Sequence, residues 1–164
     1  MKLDQAGLEF IKQWEGCRLE AYEDVVGKLT IGVGHLLTDK ELESGELLVF
    51  DPSFPTMYVV NLRDGITDDD AMNLLAMDAA DAEAAVDDLV DVELTQNQFN
   101  ALVSFVFNLG RGAFAKSTLL TYVNEHYPAS FICGQFMRWV HAGGRVVQGL
   151  VNRRMAECRL WEKN

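Results

Sequence analysis

Only three cysteines, Cys17, Cys133 and Cys158, occur in 164 residues, and they lie far apart. An odd number at such spacing does not read as a disulfide framework; reduced, mostly buried thiols are expected. With His35, His126 and His141 they form no CxxC or HExxH spacing, so no zinc site, no other metal and no cofactor is expected. Cys17 has no neighbouring base that would make it a nucleophile. Long apolar runs are missing as well. The longest falls far short of a membrane span, and no stable membrane insertion is expected. The N-terminus lacks the basic-then-apolar pattern of a secretory signal. Basic charge is scarce, with 14 Lys and Arg against 25 Asp and Glu, a net charge of −11. The deficit is concentrated in residues 38–93, which hold two basic residues and sixteen acids. That excess argues against a nucleic-acid partner.

What is present supports a packed protein. A hydrophobic fraction of 49% provides a real core and excludes disorder, and the length suits one domain, with room for two lobes. The chemistry concentrates in WEGCRLEAYEDVVGKLTIGVGH, from Trp14 to His35. Before it, Asp4 is a candidate N-cap, and Leu8, Ile11 and Trp14 form a helical apolar stripe that Gly16 should stop. Glu15 then falls at a helix C-terminus, where the dipole disfavours an ionised carboxylate, and burial beside Trp14 would disfavour it further. A carboxyl held protonated near neutral pH is what a general acid needs. Asp24, in polar company before the turn at Gly27, should stay ionised. Two carboxyls in contrasting environments are the arrangement that cleaves a glycosidic bond.

Thr30 opens TIGVGH, which alternates like a strand. Thr30, Gly32 and Gly34 would share one face, and Ile31, Val33 and His35 the other. A face so bare of side chains would let a polymeric substrate approach closely; a tight hairpin that needs glycine explains the same residues. The GxG is no dinucleotide fingerprint, since no third glycine opens a helix. Residues 21–37 read as a hairpin of Tyr22 to Asp24 and Leu29 to His35, with His35 in a structural role.

Further along, residues 38–65 contain a loop signature, DPSFP, and a candidate strand, MYVVNL; they either cap a cleft or decorate the surface. Thr67 with Asp70 is a capping box for one long helix through the acidic stretch to about residue 90. The ligand alternation and central glycine of a calcium loop are absent there. Thr95 with Gln98 caps a helix to about Leu109 that is apolar nearly all round and therefore buried. Ser117 can cap the next helix. Pro128 starts another, to about Val140, with Phe131, Phe136 and Trp139 facing the core. The last helix, about residues 150–162, should pack Val151, Met155, Leu160 and Trp161 and turn Arg153 and Arg154 outward. Residues 94–164 hold eight basic residues against three acids. Arg138, Arg145 and Arg153 are therefore candidates to meet an anionic polymer, and an ordinary solvated surface is the plainer alternative.

The order Glu15, eight residues, Asp24, five residues, Thr30, then IGVGH, resembles the endolysins of tailed phages, the lysozymes of glycoside hydrolase family 24. The segments DGITDDDAMNLLAMDAADAEAAV, LTQNQFNALVSFVFNLG and VNRRMAECRLW are similar to the family's later parts. The likeness covers most of the chain except about residues 39–64. It implies an α+β, mainly α, lysozyme-like two-lobed fold. A small N-terminal antiparallel sheet would occupy about residues 15–65, a connector helix about 66–93, and a helical lobe about 94–164, packed with 1–14. It implies hydrolysis of the bond between N-acetylmuramic acid and N-acetylglucosamine in peptidoglycan. Glu15 would be the general acid, and Asp24 and Thr30 would hold the attacking water, with inversion and carboxyls about 6.5–9.5 Å apart. Substrate contacts would fall at Leu36, Phe107 and Ser117. A further family contact is an asparagine where this chain has Cys133, so it is not carried over. The acidic middle departs from the strongly basic T-even members. The resemblance also implies a monomer made in the host cytoplasm that reaches the wall through a holin pore. A lytic transglycosylase acting on the same bond, or a non-catalytic wall-binding module, are the alternatives.

Overall fold

The computed structural model describes residues 1–24 and 26–163. Contacts divide the chain into two compact units, Leu8–Ala80 and Met1–Gly7 with Asp81–Asn164. The first helix, α1 (Gln5–Glu15), contributes residues to both. Asp4 caps it as expected: its Oδ1 accepts the Gly7 N–H at 2.9 Å.

In the unit Leu8–Ala80, β1 (Arg18–Glu23), β2 (Leu29–Gly32) and β3 (His35–Leu36) form a three-stranded antiparallel sheet. The long second strand expected from Leu29 to His35 is thus two strands. Gly32 and Gly34 have φ of +63° and +80°, which turn the chain. The bare face expected of the glycines is filled from within at Gly32, whereas Gly34 has open space beside it. A Cβ on Gly32 would lie 3.3 Å from Ile66 Cδ1 and 3.6 Å from Ala71 Cβ. The close approach is therefore made by the protein's own chain.

A short helix, α2 (Asp39–Ser44), follows, closed by a capping box between Thr38 and Glu41. Then β4 (Glu46–Asp51) and β5 (Thr56–Asn61) make a two-stranded hairpin around the DPSFP loop. Leu47 and Val49 are fully buried, whereas the facing pairs Leu48–Val59 and Phe50–Met57 are exposed to water. Helix α3 (Asp68–Asp78) begins at the expected box of Thr67 and Asp70. The Asp70 carboxyl also accepts a hydrogen bond from the Tyr58 hydroxyl, tying β5 to the start of α3. The long helix expected from here is two helices. It is interrupted at Ala79, whose N–H bonds to Leu75 and Met77 C=O, and α4 (Ala80–Leu89) follows. Neither glycine nor proline marks the break, so periodicity could not reveal it. Residues 8–14 of α1 group with the sheet in the unit Leu8–Ala80.

The other unit is helical. Helix α5 (Gln96–Leu109) starts at the box of Thr95 and Gln98 and is buried from Phe99 to Val106. Helices α6 (Arg111–Ala115), α7 (Thr118–Asn124), α8 (Ala129–Phe136) and, after the small hairpin of β6 (His141–Ala142) and β7 (Arg145–Val146), α9 (Gln148–Glu162) follow, and α4 belongs to this unit from Asp81 on. Phe105 is its centre: its ring lies 6.1 Å from Phe114, 5.5 Å from Phe136 and 5.6 Å from Trp139, each edge to face. Phe131, expected in the core, is 56% exposed, because the face of α8 that packs inward is the one carrying Ile132, Cys133 and Phe136.

Two readings of this part are overturned. Arg153 and Arg154 do not face outward; they are 4% and 0% exposed, while Met155 is 41% exposed. The reason is an internal charge cluster. Glu157 receives Arg153 Nε at 3.3 Å and Arg154 Nε at 2.9 Å, and Ser104 Oγ donates to it at 2.8 Å. The Arg154 guanidinium also lies 4.9 Å above the Phe105 ring. Burial pushes the Glu157 carboxyl up to about 7 against the pull of both arginines. The cysteines are not all reduced. Cys133 on α8 and Cys158 on α9 are joined in a disulfide, with Cα atoms 5.0 Å apart, and Cys17 alone is free. The pairing depends on how α8 packs on α9, which a separation of 25 residues does not disclose.

Glu157→Ala would leave two desolvated guanidiniums without the carboxylate they share. We expect a loss of about 3–5 kcal/mol, read by denaturant unfolding. His35 is structural, as expected: its Nδ1 lies 2.9 Å from Asp78 Oδ2, and its Nε2 3.5 Å from Glu41 Oε1. The Asp78 hydrogen bond holds the imidazolium above its usual range, outweighing burial. Its stabilisation is therefore complete below about pH 6.5, the value for an unfolded His, and is lost as pH rises through the folded value. Melting temperature should fall over that window in the wild type and stay flatter in His35→Gln.

Candidate active site

Helix α1 stops where Gly16 adopts φ +77° and returns its N–H to Lys12 C=O at 2.9 Å. This leaves Glu15 as the last helical residue, at the negative end of the dipole. The burial expected beside Trp14 is not found: Glu15 is exposed and Trp14 half-buried. Trp14 instead packs edge to face on Phe10, 6.3 Å away on its own helix. Two residues later β1 begins, with Arg18 opposite Gly32. Cys17, between them, has a thiol that burial pushes up, which leaves less thiolate for nucleophilic chemistry.

Asp24 and Thr30 meet through one peptide. Asp24 Oδ1 accepts the N–H of Val26 at 2.9 Å and of Lys28 at 2.8 Å, and the Asp24 N–H donates to Lys28 C=O at 2.8 Å. The Thr30 hydroxyl donates to the same Lys28 C=O at 3.2 Å. The hairpin thus uses one oxygen of Asp24 to close its turn. The other, Oδ2, takes no hydrogen bond among the described residues. Thr30 is 4% exposed, and its hydroxyl proton is already committed, so it presents lone pairs. Its cross-strand neighbours are Tyr22 on β1 and Leu36 on β3. Leu36 is 45% exposed. The sequence motif pointed to the side chains of Asp24 and Thr30 but not to the Lys28 peptide that joins them, because backbone groups carry no sequence signature.

In the helical unit, Phe107 is half-buried near the end of α5. Ser117 is buried and caps α7: its Oγ accepts the Leu120 N–H at 3.1 Å and donates to Phe114 C=O at 2.7 Å. It also borders a recess of about 280 Å³ lined by Lys116, Ser117, Thr118, Gln135, Arg138 and Trp139. Arg138 Nη1 donates to Gln135 Oε1 at 3.2 Å there. Gln135 was not singled out from sequence, and Trp139 was expected only to face the core; the recess forms where α7 and α8 lie side by side. Cys133 is disulfide-bonded to Cys158. Of the arginines expected on the surface, Arg138 and Arg145 are exposed and Arg153 is not.

The chain is 39% identical to an endolysin of Bacillus phage PZA over 163 residues, covering 98% of this chain and 55% of that protein. It spans about half the length of the Bacillus phage relatives it matches. Among solved structures, a point mutant of phage P22 lysozyme superposes with a TM-score of 0.78 at 33% identity, over 99% of both chains. The muramidase domain of SpmX from Asticaccaulis excentricus superposes with a TM-score of 0.75, also at 33% identity and 99% coverage of each. The fold is α+β and mainly helical, like that of P22 lysozyme. The sequence profile of the phage lysozyme family matches residues 12–157, and the chain belongs to that family.

Proposed function

We propose that this chain is a peptidoglycan-cleaving endolysin that hydrolyses the β-1,4 bond between N-acetylmuramic acid and N-acetylglucosamine. The observation that carries the mechanism is the division of labour at Asp24. One oxygen is bound to the hairpin N–H groups, which fixes the carboxylate in orientation. The other is left to accept a proton from water. The Thr30 hydroxyl, its own proton engaged by Lys28 C=O, accepts the water's second hydrogen. The water is then held with a lone pair directed at the anomeric carbon. Glu15, at the tail of α1, protonates the leaving oxygen, and product forms with inversion. No step needs a metal or cofactor.

In the unit Leu8–Ala80, Leu36 supplies an apolar contact to a sugar ring. In the helical unit, Phe107 is a separate candidate contact, and the recess at Ser117 suits polar groups of a glycan or its peptide stem. The enzyme acts as a monomer. It reaches the wall from the host cytoplasm through a holin pore. No described helix is long and apolar enough to cross a membrane.

Clearance of purified peptidoglycan tests the reading. Glu15→Gln should reduce the rate by about 10²–10⁴-fold, the range for loss of a general acid. Asp24→Asn keeps an oxygen for the hairpin N–H groups and loses the base, so activity should fall by a similar factor with the melting temperature retained. Undiminished clearance by either folded variant would sink the assignment. Mass spectrometry should show reducing sugar ends; anhydro ends would make the enzyme a transglycosylase.

The exposed arginines of the helical unit are a separate part of the reading. The pair Arg138→Glu and Arg145→Glu should lower co-sedimentation with wall sacculi and its dependence on salt. Unchanged, salt-insensitive binding would remove them from the contact surface.

A further inference from the structure

The sequence offers no metal-ligand spacing, yet the helical unit brings three donors together. Cys158 and Glu162 stand four residues apart on α9 and so share a face. Cys133 meets them from α8. The two sulfurs and a carboxylate oxygen of Glu162 all lie within 4.8 Å of one another. Cys133 is buried, Cys158 half-buried and Glu162 exposed, so the group is sealed on one side and open to water on the other. The end of α9 is anchored: Asn97 Nδ2 donates to Lys163 C=O at 3.0 Å, and the Lys163 N–H donates to Leu160 C=O at 3.2 Å. The backbone carrying Glu162 is therefore placed before any ligand arrives.

We infer that, when the disulfide is reduced, Cys133, Cys158 and Glu162 form a binding site for a divalent cation of the zinc class. The reduction is an ordinary thiol–disulfide exchange. A dithiol gives two electrons and two protons to the protein sulfurs and leaves as its own disulfide. The cation then displaces both thiol protons to solvent as it binds the thiolates. Tetrahedral coordination with Zn–S bonds of about 2.3 Å sets the two sulfurs roughly 3.8 Å apart. Rotation about the two Cα–Cβ bonds opens that space without separating the helices, whose Cα atoms at these positions are 5.0 Å apart. Two thiolates and one carboxylate are softer than the all-oxygen sets that magnesium and calcium prefer, so zinc is selected over both. The fourth position faces solvent and takes water. The same two helices are thus joined in either redox state, covalently under oxidising conditions and through a metal under reducing ones. This inference does not rest on the hydrolytic reading.

The test uses the full chain carrying Cys17→Ser, so that only two sulfurs remain, reduced with a phosphine and desalted without oxygen. Cobalt(II) should give a thiolate-to-metal charge-transfer band in the near ultraviolet. Zinc should displace it at one equivalent, measured by calorimetry. The oxidised protein should bind neither ion, and magnesium should not compete. Cys133→Ser and Cys158→Ser should abolish the band. Glu162→Gln, at an exposed position that leaves folding intact by circular dichroism, should weaken zinc by about 10–100-fold. Equal zinc affinity in the reduced protein and in Cys133→Ser would overturn the site, as would a reduced protein that shows no charge-transfer band. Unchanged affinity in Glu162→Gln would remove the carboxylate from it.

Discussion

One carboxylate oxygen, Asp24 Oδ1, closes the turn between β1 and β2 by accepting two backbone N–H groups. The constraint has consequences on both sides. For the fold, it sets the register that puts Tyr22 opposite Thr30. For the chemistry, it denies the side chain any rotation, so whatever the second oxygen meets, it meets in a fixed direction. A carboxylate on a free loop would have to be ordered at each turnover, at an entropic cost.

The caps of the same unit show a related economy. Glu41 completes the box with Thr38 and also approaches the His35 ring. Asp70 completes the box with Thr67 and also receives the Tyr58 hydroxyl. Each acid satisfies orphan donors at a helix start and links that start to a strand. Hydrogen bonds from Thr38 hold Glu41 below the usual carboxylate range, and those from Tyr58 and Thr67 do the same for Asp70, in both cases against burial. The acidic character of this stretch is therefore partly structural.

Much of this was legible in the chain. The boxes at Thr67 and Thr95, the cap at Ser117, the stop at Gly16 and the all-apolar α5 are local patterns, and local patterns determine them. The box of Thr38 with Glu41 has the same form and was overlooked because residues 39–64 resemble the family least. What could not be read was set by packing. Charge at Arg153 and Arg154 looks like surface until Glu157 and Ser104 are placed beside it. The partnership of Cys133 and Cys158 and the interruption at Ala79 leave no local mark. At Gly32 the glycine was recognised but its neighbour was not: Ala71, not a substrate, occupies the space. For the candidate site, the motif pointed to the side chains of Asp24 and Thr30, while Lys28, which contributes only its peptide, stayed invisible.

The outer face of the β4–β5 hairpin sets two apolar cross-strand pairs in water, with Phe54 at the tip 74% exposed. The hairpin lies within residues 38–93, the acid-rich stretch of the sequence. At neutral pH a net charge of −11 keeps copies apart by mutual repulsion. Near the isoelectric point of about 4.6 that repulsion vanishes while the greasy strip remains. The acidity of the middle segment thus acts as a colloidal guard, and mild acid is the condition under which it lapses.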